Sequence, residues 1–485
     1  MDDDGNHDRA RRVGRIMDIS RRTVLGAGAA LPFVAPQAAS AGPSPTDWAD
    51  LDAAIRGSIA RPGSSLYSSR RTLFDPRWDF RRPAAIARVL STRDVATCVE
   101  FARAHGLQVT GRSGGHSYVG ASATTGALVV DTRSLRTVSL TPWRTQTTVG
   151  AGAGLYSVHE ALAGHGRSIP TGTCPTVGTA GLTLAGGLGV DSRRYGLTAD
   201  RLVRATVVDG RGRIRTVDAA HDADLYWALR GGGSGAAIVT SFTYRTIPAT
   251  SMGFFTLSYP ASAAATVVRR WAAWMAEQPS DTWANAHVDV SGSSLSVRVF
   301  GVCPAGRQDS RAASARSAIG VTPLRTSTTS RTHLAAVAYL GGGTTTPRTR
   351  FVAGSDIVRV MTSGTAGAVV EAMRSAASRG LAAAAILDPL DGAVRTLGAT
   401  DTPFPWRGHT ASVQWYVGMS SDAGSTHYSR ARSWLAHAHD LMGTRSSGGY
   451  LGYLEAGRPQ REYLSTNATR HARVRGTYDP DAVIL

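Results

Sequence analysis

Two segments decide the fold of this 485-residue chain, RSGGHS at 112–117 and GTCPTVGTAGLTLAGGLGVDSRRYGLTAD at 172–200. In the first, His116 follows two glycines, which permit positive φ and let the backbone come close to a ligand. Successive amides in such a turn form an anion-binding nest that suits a pyrophosphate. In the second, Cys174 opens a Gly-rich run. A nucleophilic His and a nucleophilic Cys, each in a backbone cradle, indicate attachment of both to one cofactor.

Each of these two residues has a simpler interpretation when it is taken alone. A His after Gly-Gly is often a turn residue, and a lone Cys is usually a small core residue. The conjunction favours attachment, because both residues stand in long ordered strings rather than in three-letter matches.

Composition limits the class of protein. With 42% hydrophobic and 18% charged residues, the chain suits a globular protein of about two to three domains. It has no uninterrupted apolar run of ~20 residues, so we expect no stable membrane insertion. All 53 basic residues are Arg, which excludes Schiff-base lysine chemistry and a Walker P-loop lysine. The formal charge is +18, but the arginines are scattered and form no recognition module, so we expect no nucleic-acid partner.

The cysteines and histidines predict no metal site. Cys98, Cys174 and Cys303 show neither CxxC nor metal-ligand spacing. Cys98 falls on the apolar face of a predicted helix, and a disulfide with Cys303 is left open. His437 and His439 stand two apart in a helical pattern, which points them to different faces.

The N-terminus is typical of a targeting segment. Arg21 and Arg22 precede a short apolar stretch, and Ala39-Ser40-Ala41 supplies an A-x-A cleavage site. This pattern predicts a signal peptide over 1–41, and the arginine pair resembles the twin-arginine type; a chance pair is the alternative. Because twin-arginine export carries folded proteins, it fits a cofactor inserted before export. We therefore expect a secreted protein with the twin-arginine machinery as a partner.

Periodicity divides the remaining chain in two. Short mixed elements up to about residue 250 predict one α+β domain, with a hairpin over 201–217 and turn residues at Asp209-Gly210. The run GAGAGL at 150–155 mimics a dinucleotide fingerprint, but no acidic residue follows at the required distance, so we reject a Rossmann fold. A second domain is expected from about Met252, beginning with a helix whose apolar stripe includes Trp271 and Trp274.

The two opening segments resemble those of the berberine-bridge-enzyme-like FAD-linked oxidases, a family with the vanillyl-alcohol-oxidase-type fold. Further segments extend the resemblance over nearly the whole chain after residue 41: SRRYGLTADRL at 192–202, DLYWALRGGGSG at 224–235, AGSDIVR at 353–359, DTPFPWRG at 401–408, and the terminal Tyr463, Asn467, Arg470, Val474 and Tyr478-Asp479-Pro480. The resemblance implies an α+β fold with a two-lobed FAD-binding domain and a substrate domain of antiparallel sheet covered by helices. The implied bounds are 42–250 for the first domain, 251–454 for the second, and 455–485 for a segment that returns to the first.

The resemblance also implies how FAD is held. Arg112 to Ser117 are expected to wrap the pyrophosphate, His116 to bond the C8-methyl group and Cys174 to bond C6. Val177 is expected at a place where a small residue leaves oxygen access to the flavin, and Asn467 near the flavin. The full set of expected cofactor-binding residues is Arg112, Ser113, Gly114, Gly115, His116, Ser117, Cys174, Val177, Gly178, Gly181, Gly187, Gly189, Tyr195, Gly196 and Asn467.

Four residues are candidates for the chemistry. Tyr450 and Tyr453 stand three apart, as two tyrosines often do in the family, and one is expected to be the base. On an extended strand they would face opposite sides unless a bend intervenes, and packing at a domain seam is the alternative role. Gln414 alternates with Tyr416 onto one strand face, and Asp388 is a further candidate in a loop-like run.

Some residues depart from the family pattern. Gly452 stands where Asn is common, GGGSGAA at 231–237 lacks the usual Asn-Phe-Gly, LDG at 390–392 replaces a double Gly, and the final VIL lacks a Phe. The implied activity is oxidation of an alcohol of a carbohydrate or secondary metabolite to a carbonyl, with O2 reduced to H2O2. Alternatives are an oxidative cyclase or carbon–carbon bond-forming enzyme of the same fold, a dehydrogenase that does not use O2, or an FAD-carrying protein without turnover.

Overall fold

The computed structural model describes residues 42–485, and most of their strands form three sheets. The predicted signal peptide, with Arg21 and Arg22, lies outside the described residues and stays a prediction. None of the helices within 42–485 combines the length and the apolar character that a membrane crossing needs.

Residues 42–250 contain eleven short strands and seven α-helices. The strands are β1 (Ser58–Ala60), β2 (Ala85–Arg88), β3 (Val109–Arg112), β4 (Leu128–Asp131), β5 (Val138–Leu140), β6 (Gln146–Gly150), β7 (Arg167–Ser168), β8 (Leu202–Asp209), β9 (Ile214–Asp218), β10 (Ala237–Arg245) and β11 (Ile247–Pro248). The helices are α1 (Pro45–Ala54), α2 (Ser65–Arg70), α3 (Thr92–Ala104), α4 (Leu155–Ala163), α5 (Thr179–Leu184), α6 (Ser192–Tyr195) and α7 (Ala223–Ala228).

Nine of these strands form two sheets, and β7 and β11 pair separately. The first has the order β1-β2-β4-β3, in which β4 pairs in parallel with both β2 and β3. The second is antiparallel, with the order β5-β6-β10-β8-β9, and the predicted hairpin is its β8–β9 pair. Helix α3 shows why such short elements are stable. The Ser91 side chain caps its first turn, and Val95, Cys98 and Val99 bury one apolar face.

A large antiparallel sheet and its helices follow. The strands are β12 (Met252–Tyr259), β13 (Trp283–Ser291), β14 (Ser294–Pro304), β15 (Arg325–Arg331), β16 (Arg350–Val358), β17 (Ala383–Pro389) and β18 (Ala411–Met419), in the order β15-β12-β14-β13-β17-β18-β16. The helices are α8 (Ala264–Ala276), α9 (Gln308–Ile319), α10 (His333–Gly341), α11 (Ser363–Ser378) and α12 (Ser425–Met442).

The two faces of this sheet have different environments. Strand β13 buries Ala284, Ala286 and Val288 in a core that includes the fully buried Trp271 of α8, whereas Asn285 and His287 project from the opposite face. The alternation follows from the two-residue period of a strand. One face is therefore covered by helices, and the other is free to line a site.

The chain then returns to the first region. Helices α13 (Arg461–Leu464) and α14 (Ala468–Tyr478) follow, and α14 packs on α7. Beyond them Ile484 pairs in parallel with Val109, and the Leu485 amide donates to the Val109 carbonyl. The predicted fold class, α+β with an antiparallel, helix-covered second sheet, is confirmed, while the predicted domain bounds stay a prediction. Cys98 and Cys303 are both buried and free, so the structure contains no disulfide between them.

Candidate active site

A cavity of about 1110 Å³ lies between the first region and the free face of the large sheet. His116 and Cys174 line one wall, and Asp388, Gln414 and Tyr416 project into it from the sheet. This volume is at the upper end for small-molecule sites, which suits a ligand as large as a dinucleotide together with a substrate.

His116 is held in the neutral form. It follows Gly115, whose φ of +72° belongs to the left-handed region that favours glycine. Its ring stacks on Phe74 with centroids 3.9 Å apart, and its Nε2 lies 3.0 Å from the Thr176 hydroxyl. Burial lowers the pKa of His116 to about 4. The imidazole is therefore uncharged at neutral pH, and its Nδ1 makes no hydrogen bond within residues 42–485.

Cys174 lies beside the same hydroxyl. Its Sγ is 3.8 Å from Thr176 Oγ1 and 3.5 Å from Thr346 Oγ1, so two hydroxyls flank the sulfur. Thr346 belongs to a loop over 342–349, which we call the strap. Arg348 ties the strap down by donating to the Leu73 carbonyl and the Asp79 carboxylate. Sequence reasoning missed both threonines: Thr176 stood inside the diagnostic string, but no local signal marks Thr346, 172 residues from Cys174.

Arg112 has donors that its protein partners leave unused. Its side chain is 1% exposed, and Nη2 donates to Asp131 Oδ2 at 2.8 Å. Nε and Nη1 are buried without a hydrogen-bond partner among the described residues. Buried polar groups are normally paired, so these donors indicate an anionic ligand in the cavity. A pyrophosphate beside Arg112 fits them.

The predicted cofactor-binding residues divide into two groups according to whether they line the cavity. Those that line the cavity are Arg112, Ser113, Gly114, Gly115, His116, Ser117, Cys174, Val177, Gly178, Gly181 and Gly189. Those that do not are Gly187, Tyr195, Gly196 and Asn467.

Asn467 is the main correction in the second group. Its Nδ2 donates to the carbonyls of Ala399, Thr402 and Pro403, so the amide ties down that loop and has no free donor for a flavin. Tyr195 stacks with the Arg194 guanidinium on α6, and Gly196 packs against Asp200, so both make local contacts outside the cavity lining.

Tyr450 and Tyr453 do not lie on a strand. Leu451–Tyr453 form a 3₁₀ turn, which brings both rings to the cavity with centroids 5.0 Å apart at an interplanar angle of 89°. The bend allowed above as the exception to opposite faces is therefore present. The Tyr450 ring packs closely over Gly452, where a Cβ would lie 2.4 Å from the ring.

The two hydroxyls have different environments. Tyr450 Oη accepts hydrogen bonds from the amides of Gly187 and Leu188 at 3.0 and 3.3 Å, so this side chain fixes the glycine-rich loop. The Tyr453 hydroxyl has no hydrogen-bond partner within the described chain. Burial, and next the charge of Asp388, raise the pKa of Tyr453 well above its usual value. Tyr453 is therefore the tyrosine whose hydroxyl is free for a substrate.

Tyr118 is a further cavity residue that sequence reasoning missed, although it stands two residues after His116. Its ring stacks on Tyr453 with centroids 5.5 Å apart, and its hydroxyl accepts a 2.7 Å hydrogen bond from Gln414 Nε2. Across the cavity, Asn285 Nδ2 donates to Asp388 Oδ1 at 3.2 Å, while burial raises the pKa of Asp388. The site thus combines a free phenol, a carboxyl group and a fixed amide.

Comparison with known proteins agrees with this geometry. A family model described as an FAD binding domain matches residues 83–218. This chain is an FAD-binding protein of the berberine-bridge-enzyme-like fold. The BBE-like 1 structure from Physcomitrella patens covers 90% of this chain and 97% of its own at a TM-score of 0.82 and 24% identity.

Two further relatives are carbohydrate oxidases by name. A glucooligosaccharide oxidase from Sarocladium strictum is 39% identical over 180 residues, which are 37% of this chain and 36% of that protein. The structure of the glucooligosaccharide oxidase from Acremonium strictum, described with a 6-S-cysteinyl, 8α-N1-histidyl FAD, has a TM-score of 0.80 at 24% identity, covering 90% of this chain and 97% of its own. The sequence match spans little more than a third of the first relative, whereas the fold match covers nearly the whole structure.

Proposed function

We propose that this protein is a secreted FAD-dependent oxidase with two covalent flavin bonds, from His116 to the C8-methyl group and from Cys174 to C6. The observation that carries the proposal is the joint position of the two side chains, which line one cavity and both contact the Thr176 hydroxyl. The neutral imidazole of His116 has a nucleophilic lone pair, and the free Cys174 thiol is open to the same cavity.

The proposed reaction converts a secondary alcohol or a hemiacetal of a carbohydrate, or a carbinol of a secondary metabolite, into a carbonyl. The alcohol loses two electrons and two protons, and O2 gains them to give H2O2. Bound FAD would accept the substrate hydride and pass both electrons to O2. Support for a carbohydrate substrate comes from the glucooligosaccharide oxidase relative.

The protein's own groups would handle the proton. Tyr453 faces the cavity with a free hydroxyl and would take the substrate O–H proton as a tyrosinate, with Asp388 as its charged neighbour. Gln414 and Tyr118 form a fixed pair beside it and would orient the substrate oxygen. Tyr450 would act indirectly, by holding the glycine-rich loop through its two amide contacts.

The experiment that tests the proposal separates attachment from turnover. The protein is precipitated and washed with trichloroacetic acid, and we expect the flavin absorbance to stay with the pellet. Peroxide release is then measured on a panel of oligosaccharides and metabolite carbinols, with one H2O2 expected per carbonyl formed. FAD in the supernatant would contradict covalent attachment. Turnover that reduces an artificial acceptor but yields no peroxide would identify a dehydrogenase instead.

A further inference from the structure

The free face of the large sheet carries a second polar group apart from Asp388, Gln414 and the tyrosines. Strand register places Arg298 of β14 opposite His287 of β13, and His287 opposite Ile386 of β17. Ile386 lies opposite Gln414 of β18 in the same row. Arg298 and His287 both line the cavity, so this row forms its floor.

Arg298 and His287 together present only hydrogen-bond donors. Arg298 Nη2 donates to His287 Nδ1 at 2.7 Å, so Nδ1 must act as an acceptor and the ring proton lies on Nε2. Neither Arg298 Nη1 nor His287 Nε2 has a hydrogen-bond partner in the described part of the chain. A donor-only group needs an acceptor, and a planar guanidinium matches a carboxylate well.

The charge of this group is only partly balanced by protein. Arg298 Nε lies 3.4 Å from Asp289 Oδ2, but 41% of the arginine side chain is exposed, so the pair is screened. The other cavity-lining arginines have closer partners: Arg112 bonds Asp131, Arg458 bonds Glu455, and Arg475 donates to the Ile484 carbonyl. Arg298 is therefore the arginine on the large sheet whose guanidinium can donate to an anionic ligand in the cavity.

We propose that Arg298 and His287 bind a carboxylate of the substrate, so that the preferred substrates are acidic oligosaccharides or acid-bearing metabolites. The inference rests on the proposed oxidase function and adds the substrate class. Arg298 is separated from Asp388 by two strand spacings and two residues along the strand, about 12 Å between backbones. That is wider than one sugar ring, so the carboxylate belongs to a unit next to the one oxidised.

The test measures binding by the flavin-loaded protein with two matched probes. Calorimetry under anaerobic conditions, with the flavin reduced beforehand so that the sugars are not oxidised, gives Kd for cellobiose and for the disaccharide in which glucuronic acid is β-1,4-linked to glucose. We expect the acid to bind about five- to tenfold more tightly at low salt, and the ratio to shrink in 0.5 M NaCl. Arg298→Gln should remove the preference, and Asp289→Asn, which deletes the competing carboxylate, should increase it. Arg269→Gln, an exposed arginine of α8 on the helix-covered side, is the charge-matched control and should keep it.

Several outcomes would overturn the inference: equal affinity of the unaltered protein for the two sugars, no binding of the acid, or a preference that Arg298→Gln leaves in place. Peroxide release from the same sugars is recorded separately. Acid-selective binding without any turnover would reject the oxidase proposal and keep this inference. Turnover without a charge preference would reject this inference and keep the oxidase proposal.

Discussion

At the scale of single residues, the site depends on one hydroxyl between two nucleophiles. Thr176 Oγ1 lies 3.0 Å from His116 Nε2 and 3.8 Å from Cys174 Sγ. The bond to Nε2 fixes the ring orientation and leaves Nδ1 as the nitrogen with no partner in residues 42–485. A single threonine therefore positions both proposed attachment points.

The first prediction concerns these attachment points. In the His116→Ala variant we expect flavin on Cys174 alone, and in Cys174→Ala on His116 alone. Thr176→Val keeps the shape but deletes the hydroxyl, so the His116 ring loses its fixed orientation and the fraction of His116-linked peptide should fall. Peptide mass spectrometry measures both links, and Thr173→Val, at the exposed neighbour of Cys174, serves as a control. Unlinked FAD from the unaltered protein would refute two-bond attachment.

A second prediction separates the two tyrosines. Tyr453→Phe should slow anaerobic flavin reduction by ~10²–10⁴-fold with the flavin still bound, because it deletes the proposed base and keeps the ring. Tyr450→Phe deletes the acceptor of two backbone amides and should chiefly lower stability, by about 1–3 kcal/mol. Stopped-flow reduction and thermal unfolding measure the two effects. If Tyr453→Phe reduces flavin at the parent rate, the base lies elsewhere.

A third prediction follows from the charge of Asp388. Burial and Asp388 raise the pKa of Tyr453, and a tyrosine base acts only when ionised, so the reduction rate should rise with pH. Asp388→Asn removes one of the two influences that raise the pKa of Tyr453. The rise of the reduction rate with pH should therefore occur at lower pH in this variant. The asparagine can still accept the bond from Asn285. A loss of rate by ~10² or more at every pH would instead identify Asp388 as the base.

At the scale of elements, an ion cluster holds the tyrosine turn against the large sheet. His439 of α12 bonds Asp356 of β16 at 2.8 Å through Nδ1 and Glu455, just after the turn, at 2.7 Å through Nε2. Burial lowers the pKa of His439, but the two carboxylates outweigh it and raise the pKa to about 10. The imidazolium is therefore charged at neutral pH, and it links the helix, the strand and the turn.

The fourth prediction is the pH dependence of this cluster. The pKa of His439 is about 10 in the folded protein and about 6.5 in the unfolded chain. The resulting stabilisation is complete at a pH below about 6.5 and is lost as the pH rises through about 10. His439→Gln should therefore lower the apparent Tm clearly at pH 6 and much less at pH 10, as measured by calorimetry. His437→Gln, two residues earlier on α12, is the matched control and should show no such pH dependence. An equal Tm loss at both pH values would exclude an ionic role.

Sequence patterns predicted the regular elements better than the irregular ones. Helix α3 and the β8–β9 hairpin follow directly from periodicity and turn residues, and Gln414 and Tyr416 share a strand face as expected. The turn at 451–453 was not predicted, because spacing alone does not distinguish a 3₁₀ turn from a strand. The turn accompanies a close packing of the Tyr450 ring over Gly452, a contact that depends on tertiary structure.

At the scale of the whole molecule, the site is assembled from distant parts of the chain. The diagnostic strings predicted residues that line one wall of the cavity, since those residues are close together in the sequence. Thr346, Arg298 and His287 lie on later elements whose approach to Cys174 or to the cavity is set by the order of the sheet. Asn467 was expected near the flavin from the resemblance, but it does not line the cavity and its amide donates to the 399–403 loop.

The fifth prediction concerns export of the intact molecule. Replacing Arg21 and Arg22 together by alanine should retain a folded, flavin-loaded precursor inside the cell, because the twin-arginine pair is the proposed export signal. Arg11 and Arg12 form a second pair outside the predicted motif and provide the control double variant, which should be exported. Cell fractions are assayed for the protein and for covalent flavin. Undiminished export of the Arg21/Arg22 variant would contradict the twin-arginine interpretation.

The strap has a consequence for quality control of preparations. Arg348 anchors the strap to Leu73 and Asp79, and the same strap brings Thr346 to the Cys174 sulfur, so the surroundings of the cysteine include a distant part of the chain. The surroundings of His116, by contrast, come from Phe74 and Thr176 in the first region. If the proposed two bonds form, the fraction of molecules that carry only the His116 bond would report the fraction of chains whose strap was not in place during flavin attachment.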